Sequence, residues 1–501
     1  MLNGYSNQNC ELLCSSSCRK IVQSFSNSCR NRKTEEAMRR KELLQKLIGD
    51  YEKRCRKSCA RFCDLSSLLV GGGSHNLRLF APFPFYDERA SGATITDIDG
   101  NSYIDFWQGH FANILGHNPR PVLERLRQCF QDGEGLITGF PGVHQGKLAR
   151  LIVEQVGAER IRFTTSGTLA TMYAIMLARA FTKRDLVLKV GGGWHGAQPF
   201  ALKGISTYDE GFSKLESAGL LPELDRMILV TRFNDAENLE SAFDQHGERA
   251  ACFIIEPFIG SGGFIFASRE YLLHARELCS KHGALLIADE VISGFRFHPG
   301  ALHTLYGITP DLTVFGKIIG GGMPVSAVCG RADVIELCSS DMGPGQGVKF
   351  NGGTFSAHPA SMIAGCAFIE YLVSHAEEVY PRIGLLGEKA RNDIEAIFRT
   401  HGFNARCTGF GEPVSKSSIV GIHFLKDSID RLDSPDQVWN PRVCDVDLRE
   451  RIFKLEMLRE GFHVMHGYGS ISSAHTDEEI QSSLDAIERI ARRWWKYNIS
   501  Y

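Results

Sequence analysis

Between about residues 116 and 390 the chain alternates two hydrophobic rhythms. Short apolar runs at Ile161–Thr164, Leu186–Val190, Met227–Val230, Cys252–Ile255, Leu285–Ala288 and Thr313–Phe315 are separated by longer stretches with helical spacing. Several runs are apolar without interruption, as strands covered on both faces must be. This alternation predicts an α/β fold with a largely parallel sheet. Upstream, 93–101 reads as a strand and hairpin turn, followed by a second strand from Ser102 to Phe106. Beyond about residue 390 mixed helix and strand patterns return, ending in an amphipathic helix over Asp477–Trp495. No internal repeat is visible.

The first 63 residues differ from the rest. They hold fourteen Lys and Arg against six Asp and Glu, in a chain of net charge -2, and seven of its 15 cysteines. Residues 1–33 are rich in Ser, Asn and Cys, a composition that resists packing. From Thr34, with Glu35 and Glu36 in the first turn, an amphipathic helix is expected to about Cys63. Tyr51, Cys55, Cys59 and Phe62 share a helical face with Leu44, Leu47 and Ile48, so the cysteines read as part of a packed stripe. Their CxxxC spacing lacks the matched CxxC pairs of a zinc site, and no metal is expected. The division implied is an extension over 1–63, a small domain from 64–115 and 390–501, and a large domain over 116–389. The basic arm suits a docking or subunit-packing role, with a carrier protein as one partner. An organelle transit peptide is the second reading.

A length of 501 residues fits more than one domain. A near-neutral total argues against nucleic-acid binding through bulk charge. No apolar stretch is long enough to span a bilayer, and the start shows no secretory signal. An odd cysteine count, scattered through apolar runs, favours reduced thiols and a cytoplasmic protein.

In open parallel sheets, ligands sit beyond the carboxyl ends of the strands. After Ile161–Thr164 come Thr165, Ser166, Gly167 and Thr168, opening a helix. Hydroxyls and a glycine at a helix N-terminus make an anion site, although a plain N-cap reads the same way. After Leu186–Val190 comes Gly191-Gly192-Gly193-Trp194-His195-Gly196, which formally matches GxGxxG. Pro199 falls where the dinucleotide-binding helix should be under way, so that reading fails. Trp194 among glycines can instead bring a flat ring against another. Asp289, followed by Glu290 and Val291, ends an apolar run and needs a cationic partner if buried. Lys317 follows Thr313–Phe315 and is surrounded by Gly316, Gly320, Gly321 and Gly322. Lysine shifts its pKa readily on burial and suits Schiff-base chemistry. An Asp289–Lys317 salt bridge is the simpler reading of that pair. A phosphate niche, an aromatic shelf, a carboxylate and an amine together describe a site for pyridoxal 5'-phosphate, with the glycines leaving room for it and for the lysine to move.

These residues lie in motifs that resemble the class III aminotransferases of fold type I, and most closely their glutamate-1-semialdehyde aminomutase-like branch. The motifs are Thr165–Thr168, Trp194–Gly196, Ile255-Glu256-Pro257, Asp289–Val291 with Gly294-Phe295-Arg296, Gly316–Gly322 and Gly353–Ser356. The resemblance runs from about Gly71 to His475. It implies a large domain with a mostly parallel, seven-stranded sheet and a smaller α+β domain built from both ends of the chain. It implies that Lys317 forms the Schiff base and that Asp289 holds the ring nitrogen. Ser166, Gly167 and Thr168 would bind the phosphate. Trp194, where the family usually has Tyr, and Val291 would flank the ring, with His195 and Glu256 also in the cofactor set. Thr354 would reach the site of a neighbouring subunit, making a homodimer. Arg78 matches the arginine that grips the substrate carboxylate in the aminomutases, as its forked donors allow.

The departures concern the substrate. His110 stands at the aminomutases' pocket Trp, Ser261 at an Asn, Gly467 at an acidic residue, and Leu169 at a Glu. The expectation is an aminotransferase moving an amino group between an amine or amino-acid donor and an oxo acceptor. Gly467 and the apolar Phe111 suggest room for a bulkier or more apolar donor. An aminomutase is the alternative, followed by a non-catalytic interaction protein.

Overall fold

The computed structural model describes residues 37–206, 211–426, 429, 431–497 and 499. Its centre is a seven-stranded sheet. In spatial order the strands are Arg160–Thr164, Ser326–Gly330, Leu312–Phe315, Leu285–Glu290, Ala250–Ile255, Leu186–Val190 and Ile228–Thr231. Every pairing is parallel except the two made by Ser326–Gly330. That strand is missing from the hydrophobic pattern because Ser326-Ala327-Val328-Cys329 is short, small and follows a glycine-rich turn. The six expected strands all form, each within two residues of its predicted ends.

Continuous apolar runs arise because both faces are covered. Leu186, Leu188 and Val190 point into one core with Phe253, Ile255 and Leu286, beneath the helices Ala236–His246 and Arg269–His282. Val187, Cys252, Ile254, Leu285 and Ile287 point into the other, against Ala170, Ala174, Ile175 and Leu177 of the helix Gly167–Thr182. Period-two alternation persists, but both sides are apolar.

A second core joins the two ends of the chain. Ser102–Asp105 pairs antiparallel with Thr94–Asp97 and parallel with Phe462–His463. Trp494 lies fully buried among Phe398, Phe403, Phe424 and Phe453. It comes from the last long helix, Asp477–Lys496, which starts at a capping box between Thr476 and Glu479.

The arm is not one helix. Helix 37–54 and helix Arg56–Leu65 break at Cys55, whose backbone is neither helical nor extended. The break has a tertiary cause. Asp99, at the hairpin turn, accepts from the backbone N–H groups of Lys57 (2.6 Å) and Ser58 (2.9 Å), capping the second helix from outside. Leu43, Leu47, Tyr51 and Cys55 are buried in the same core as Trp494, with Leu44, Ile48, Cys59 and Phe62 packed against it. The expected start at Thr34, and Cys10, Cys14, Cys18 and Cys29, lie outside the described residues. Replacing Leu47 by Ala should cost about 3 kcal/mol of stability, read as a lower denaturant midpoint. An unchanged midpoint would mean that the arm is not part of this core.

Candidate active site

The strand ends converge on a cavity of about 410 Å³, within the range of about 300–1,000 Å³ usual for small-molecule sites. It is lined by Ser166, Gly167, Thr168, Trp194, His195, Glu256, Asp289, Val291 and Lys317, nine of the expected site residues. Ser166 caps the helix Gly167–Thr182, its Oγ accepting from Leu169 N–H at 3.3 Å. That helix is sixteen residues long, and its first turn faces the cavity with N–H groups that suit an anion.

Asp289 and Glu290 are consecutive and point to opposite faces. Glu290 turns away, accepting from Leu302 N–H, His303 N–H, His303 Nδ1 and Ser293 Oγ–H. Asp289 faces the cavity. Its Oδ2 lies 2.7 Å from His195 Nδ1, and its Oδ1 accepts from Val291 N–H at 3.1 Å. His195 is fully buried, and burial lowers its pKa despite the carboxylate. A neutral imidazole can donate through Nδ1 to the Asp289 carboxyl group. No Asp289–Lys317 bridge occurs among the described ion pairs; His195 takes that place.

Lys317 opens a short turn, Lys317–Gly320, at a φ of 47°. Burial pushes its amine down to about 8, against the opposing pull of Asp289 and Glu256. The glycines beside it mostly serve packing, which corrects the reading of them as free space. A Cβ on Gly167 would lie 3.1 Å from both methyl groups of Val291, and one on Gly316 3.2 Å from Cγ1. Val291 fills the space beside Gly167, and Ser326 Oγ, 2.8 Å from a Cβ on Gly316, shares the space there. Gly322 alone of the flanking glycines has nothing within 4 Å.

Trp194 is set from behind. Glu256 Oε1 accepts from its N–H (2.9 Å) and Oε2 from Gly260 N–H (3.2 Å). Burial and the Asp289 charge raise the Glu256 pKa. Lys189, buried in the strand Leu186–Val190, donates to Gly193 O (3.1 Å) and Lys203 O (2.8 Å), the two ends of the Trp194 loop. Motif reasoning misses this residue; a lysine inside an otherwise apolar strand is the available signal. Residues 191–206, directly after that strand, form no helix, as expected of a false GxGxxG match.

Arg78 and His110 stand together, and neither is among the residues lining the Lys317 cavity. Arg78 Nε donates to His110 Nε2 at 3.2 Å, and the His75 and His110 rings are 4.7 Å apart. Burial, then His75, Arg78 and Lys317, push His110 down to about 3, so it is a neutral acceptor. His110 belongs to a left-handed turn, Gln108–Phe111, with φ of 48°, 62°, 60° and 67°. Such backbone costs about 1–2 kcal/mol per non-glycine residue. Fully buried Arg296 binds the Phe111 carbonyl and donates to Ser470 Oγ. Asp105 accepts from Trp107 and Gln108 N–H.

Three expectations change or stand apart. Thr354 is exposed and does not line this chain's own cavity. Gly467 opens no room, since a Cβ there would lie 2.8 Å from the backbone N and O of Ile422. Phe111 packs edge-on to Phe264 and does not line the cavity.

A helix N-terminus, an inward carboxylate and a low-pKa lysine at the ends of one sheet define a fold type I pyridoxal phosphate enzyme. The aminotransferase class-III family model matches residues 80–409, and the chain belongs to that family. It is 34% identical over 441 residues to a glutamate-1-semialdehyde 2,1-aminomutase of Akkermansia muciniphila, covering 86% of this chain and 98% of that one. Among solved structures it resembles an omega-transaminase from Sphaerobacter thermophilus, at 30% identity and a TM-score of 0.77, over 87% of this chain and 98% of that one. A beta-phenylalanine aminotransferase from Variovorax paradoxus matches at 29% identity and 0.78, over 91% and 98%.

A lysine titrating at about 8 is about one-tenth neutral at pH 7, against well under one in a thousand ordinarily. Capture of pyridoxal 5'-phosphate by cofactor-free protein should therefore quicken about tenfold per pH unit up to about pH 8, then level. A rate still climbing towards pH 10 would contradict the shift.

Proposed function

We infer that this family member is an aminotransferase acting between two substrates. The carrying observation is that Lys317, Asp289 and the Gly167–Thr182 helix start share one cavity while the aminomutase contacts at 110, 261 and 467 are replaced. When bound, pyridoxal 5'-phosphate supplies a carbonyl that combines with amines and a ring that accepts the electron pair of a broken C–H bond. Ser166, Gly167 and Thr168 offer hydroxyl and N–H donors to its phosphate. Asp289, hydrogen-bonded to His195, would hold the ring nitrogen and favour a proton there. Val291 and Trp194 confine the ring between them. Lys317 Nζ would be the amine that holds the cofactor and, once released, the group that removes and returns the proton at the substrate carbon. Arg78 orients a substrate carboxylate, with neutral His110 accepting from its Nε.

The aminomutase reading draws support from the named activity of the 34% identical relative. The two separate in one assay. An aminotransferase turns over a donor only when an oxo acid is supplied, whereas turnover of glutamate-1-semialdehyde without an acceptor would favour the mutase. Lys317→Ala should lose the holoenzyme's visible absorbance and at least about a thousandfold in rate. An unchanged spectrum would remove the assignment.

A second copy of the chain is the proposed partner. Leu136, Phe140 and Val143 are 77%, 78% and 82% exposed, and Phe355 beside Thr354 is 60% exposed. Apolar surface of this extent marks an interface. Thr354 would complete the neighbouring site, and light scattering should give twice the 55.6 kDa chain mass. A monomer at micromolar concentration would count against it. The arm's apolar stripe is used within the chain, so carrier docking would fall on exposed Lys41, Lys46, Lys53 and Arg56. The eleven described cysteines are all free, which fits a reducing compartment such as the cytoplasm.

A further inference from the structure

A second cavity, of about 630 Å³, adjoins the Lys317 cavity, and Trp194 lines both. Its apolar lining comes from Leu77, Ala197, Ile205 and the two indoles of Trp194 and Trp439. Among the described residues lining it, His75 and His466 are the titratable side chains and none is a Lys, Arg, Asp or Glu. A charged group entering it would lose its water without gaining an ionic partner, whereas an apolar group would be desolvated favourably.

Its aromatic walls are preformed. Trp439 Nε1 donates to Ser261 O at 3.0 Å, its ring lies 4.4 Å from the Arg449 guanidinium carbon, and it meets His466 edge-on at 5.5 Å. Arg449 is itself immobile: fully buried, it donates to Glu450 Oε1 (2.7 Å) and His423 Nδ1 (2.6 Å). It sits in a π-helical stretch, Leu448–Phe453, which leads into the helix Lys454–Arg459. A cation against one face of an indole holds that ring in place. On the other side Glu256 and Lys189 fix the Trp194 loop. Of the residues that depart from the aminomutase pattern, Ser261 contributes through its carbonyl, while Gly467 does not line this cavity.

We propose that this second cavity is the side-chain subsite of the amine donor, that it takes an uncharged aryl or comparably large apolar group, and that Trp439 is its specificity-determining residue. The proposal rests on the aminotransferase reading and names the substrate class for that site. The room for an apolar donor lies between two tryptophans, not at Gly467.

The test uses holoenzyme and two donor pairs that differ only in phenyl against methyl: 1-phenylethylamine with 2-aminopropane, and 3-amino-3-phenylpropanoate with 3-aminobutanoate. The phenyl member of a reacting pair should be favoured about tenfold or more in kcat/KM. Trp439→Ala should erase most of that preference, Trp439→Phe should retain it, and the visible spectrum should stay unchanged in both. Binding is read separately, by tryptophan fluorescence with 3-phenylpropanoate and propanoate, which carry no amine. The aryl acid should bind about tenfold more tightly, and Trp439→Ala should remove the difference. Equal kcat/KM for phenyl and methyl donors, an equal loss on both in Trp439→Ala, or equal binding of the two acids would overturn the proposal. If no donor bleaches the visible band, the aminotransferase reading fails, and the binding comparison still decides the subsite.

Discussion

A carboxylate buried at the end of a core strand has to be compensated, and the site is arranged around how Asp289 is. His195 bonds one oxygen at 2.7 Å and Val291 N–H the other at 3.1 Å, so both oxygens have partners other than Lys317. The lysine is left with burial as its dominant influence and titrates near 8. Had the two formed a direct bridge, the amine would have been held protonated and the carboxylate would not have been free for a ring nitrogen. Pairing of the acid with a histidine, and not with the lysine, leaves the amine outside that ion pair.

That arrangement depends on strands that expose consecutive residues to opposite faces. Glu290 is consumed by His303 and the backbone at 302 and 303, while Asp289 looks into the cavity. The same logic places Lys189 behind the site, where its amine ties both ends of the Trp194 loop. Buried charges therefore occur in two layers. Asp289 and Lys317 face the cavity, Glu256 lines it while bonding the Trp194 backbone, and Lys189 and Arg296 hold the loops around it. Arg296 supports the left-handed turn at Gln108–Phe111, whose strain a single glycine could not relieve.

Much of the large sheet was legible because hydrophobic runs of four to six residues with helical spacers admit few other folds. The strand ends then pointed to Ser166, Trp194, Asp289 and Lys317. What escaped was whatever required a partner distant in sequence. Ser326–Gly330 is a strand because it wedges antiparallel between two neighbours, not because of its own pattern. The arm helix breaks at Cys55 because Asp99 caps the start of Arg56–Leu65. Gly467 looked like vacant space, yet Ile422 backbone fills it.

Strand periodicity, the hydroxyl-rich helix start and the single lysine among glycines are local properties of the chain. By themselves they indicated the sheet and the cofactor class, and pointed to Asp289 and Lys317, which line one cavity. Which histidine meets Asp289, what the glycines accommodate, and where Trp439 stands relative to Trp194 were decided only on folding. These are contacts between segments tens to hundreds of residues apart, and side-chain volume and hydrogen-bond geometry choose among them only once the backbone has brought the segments together.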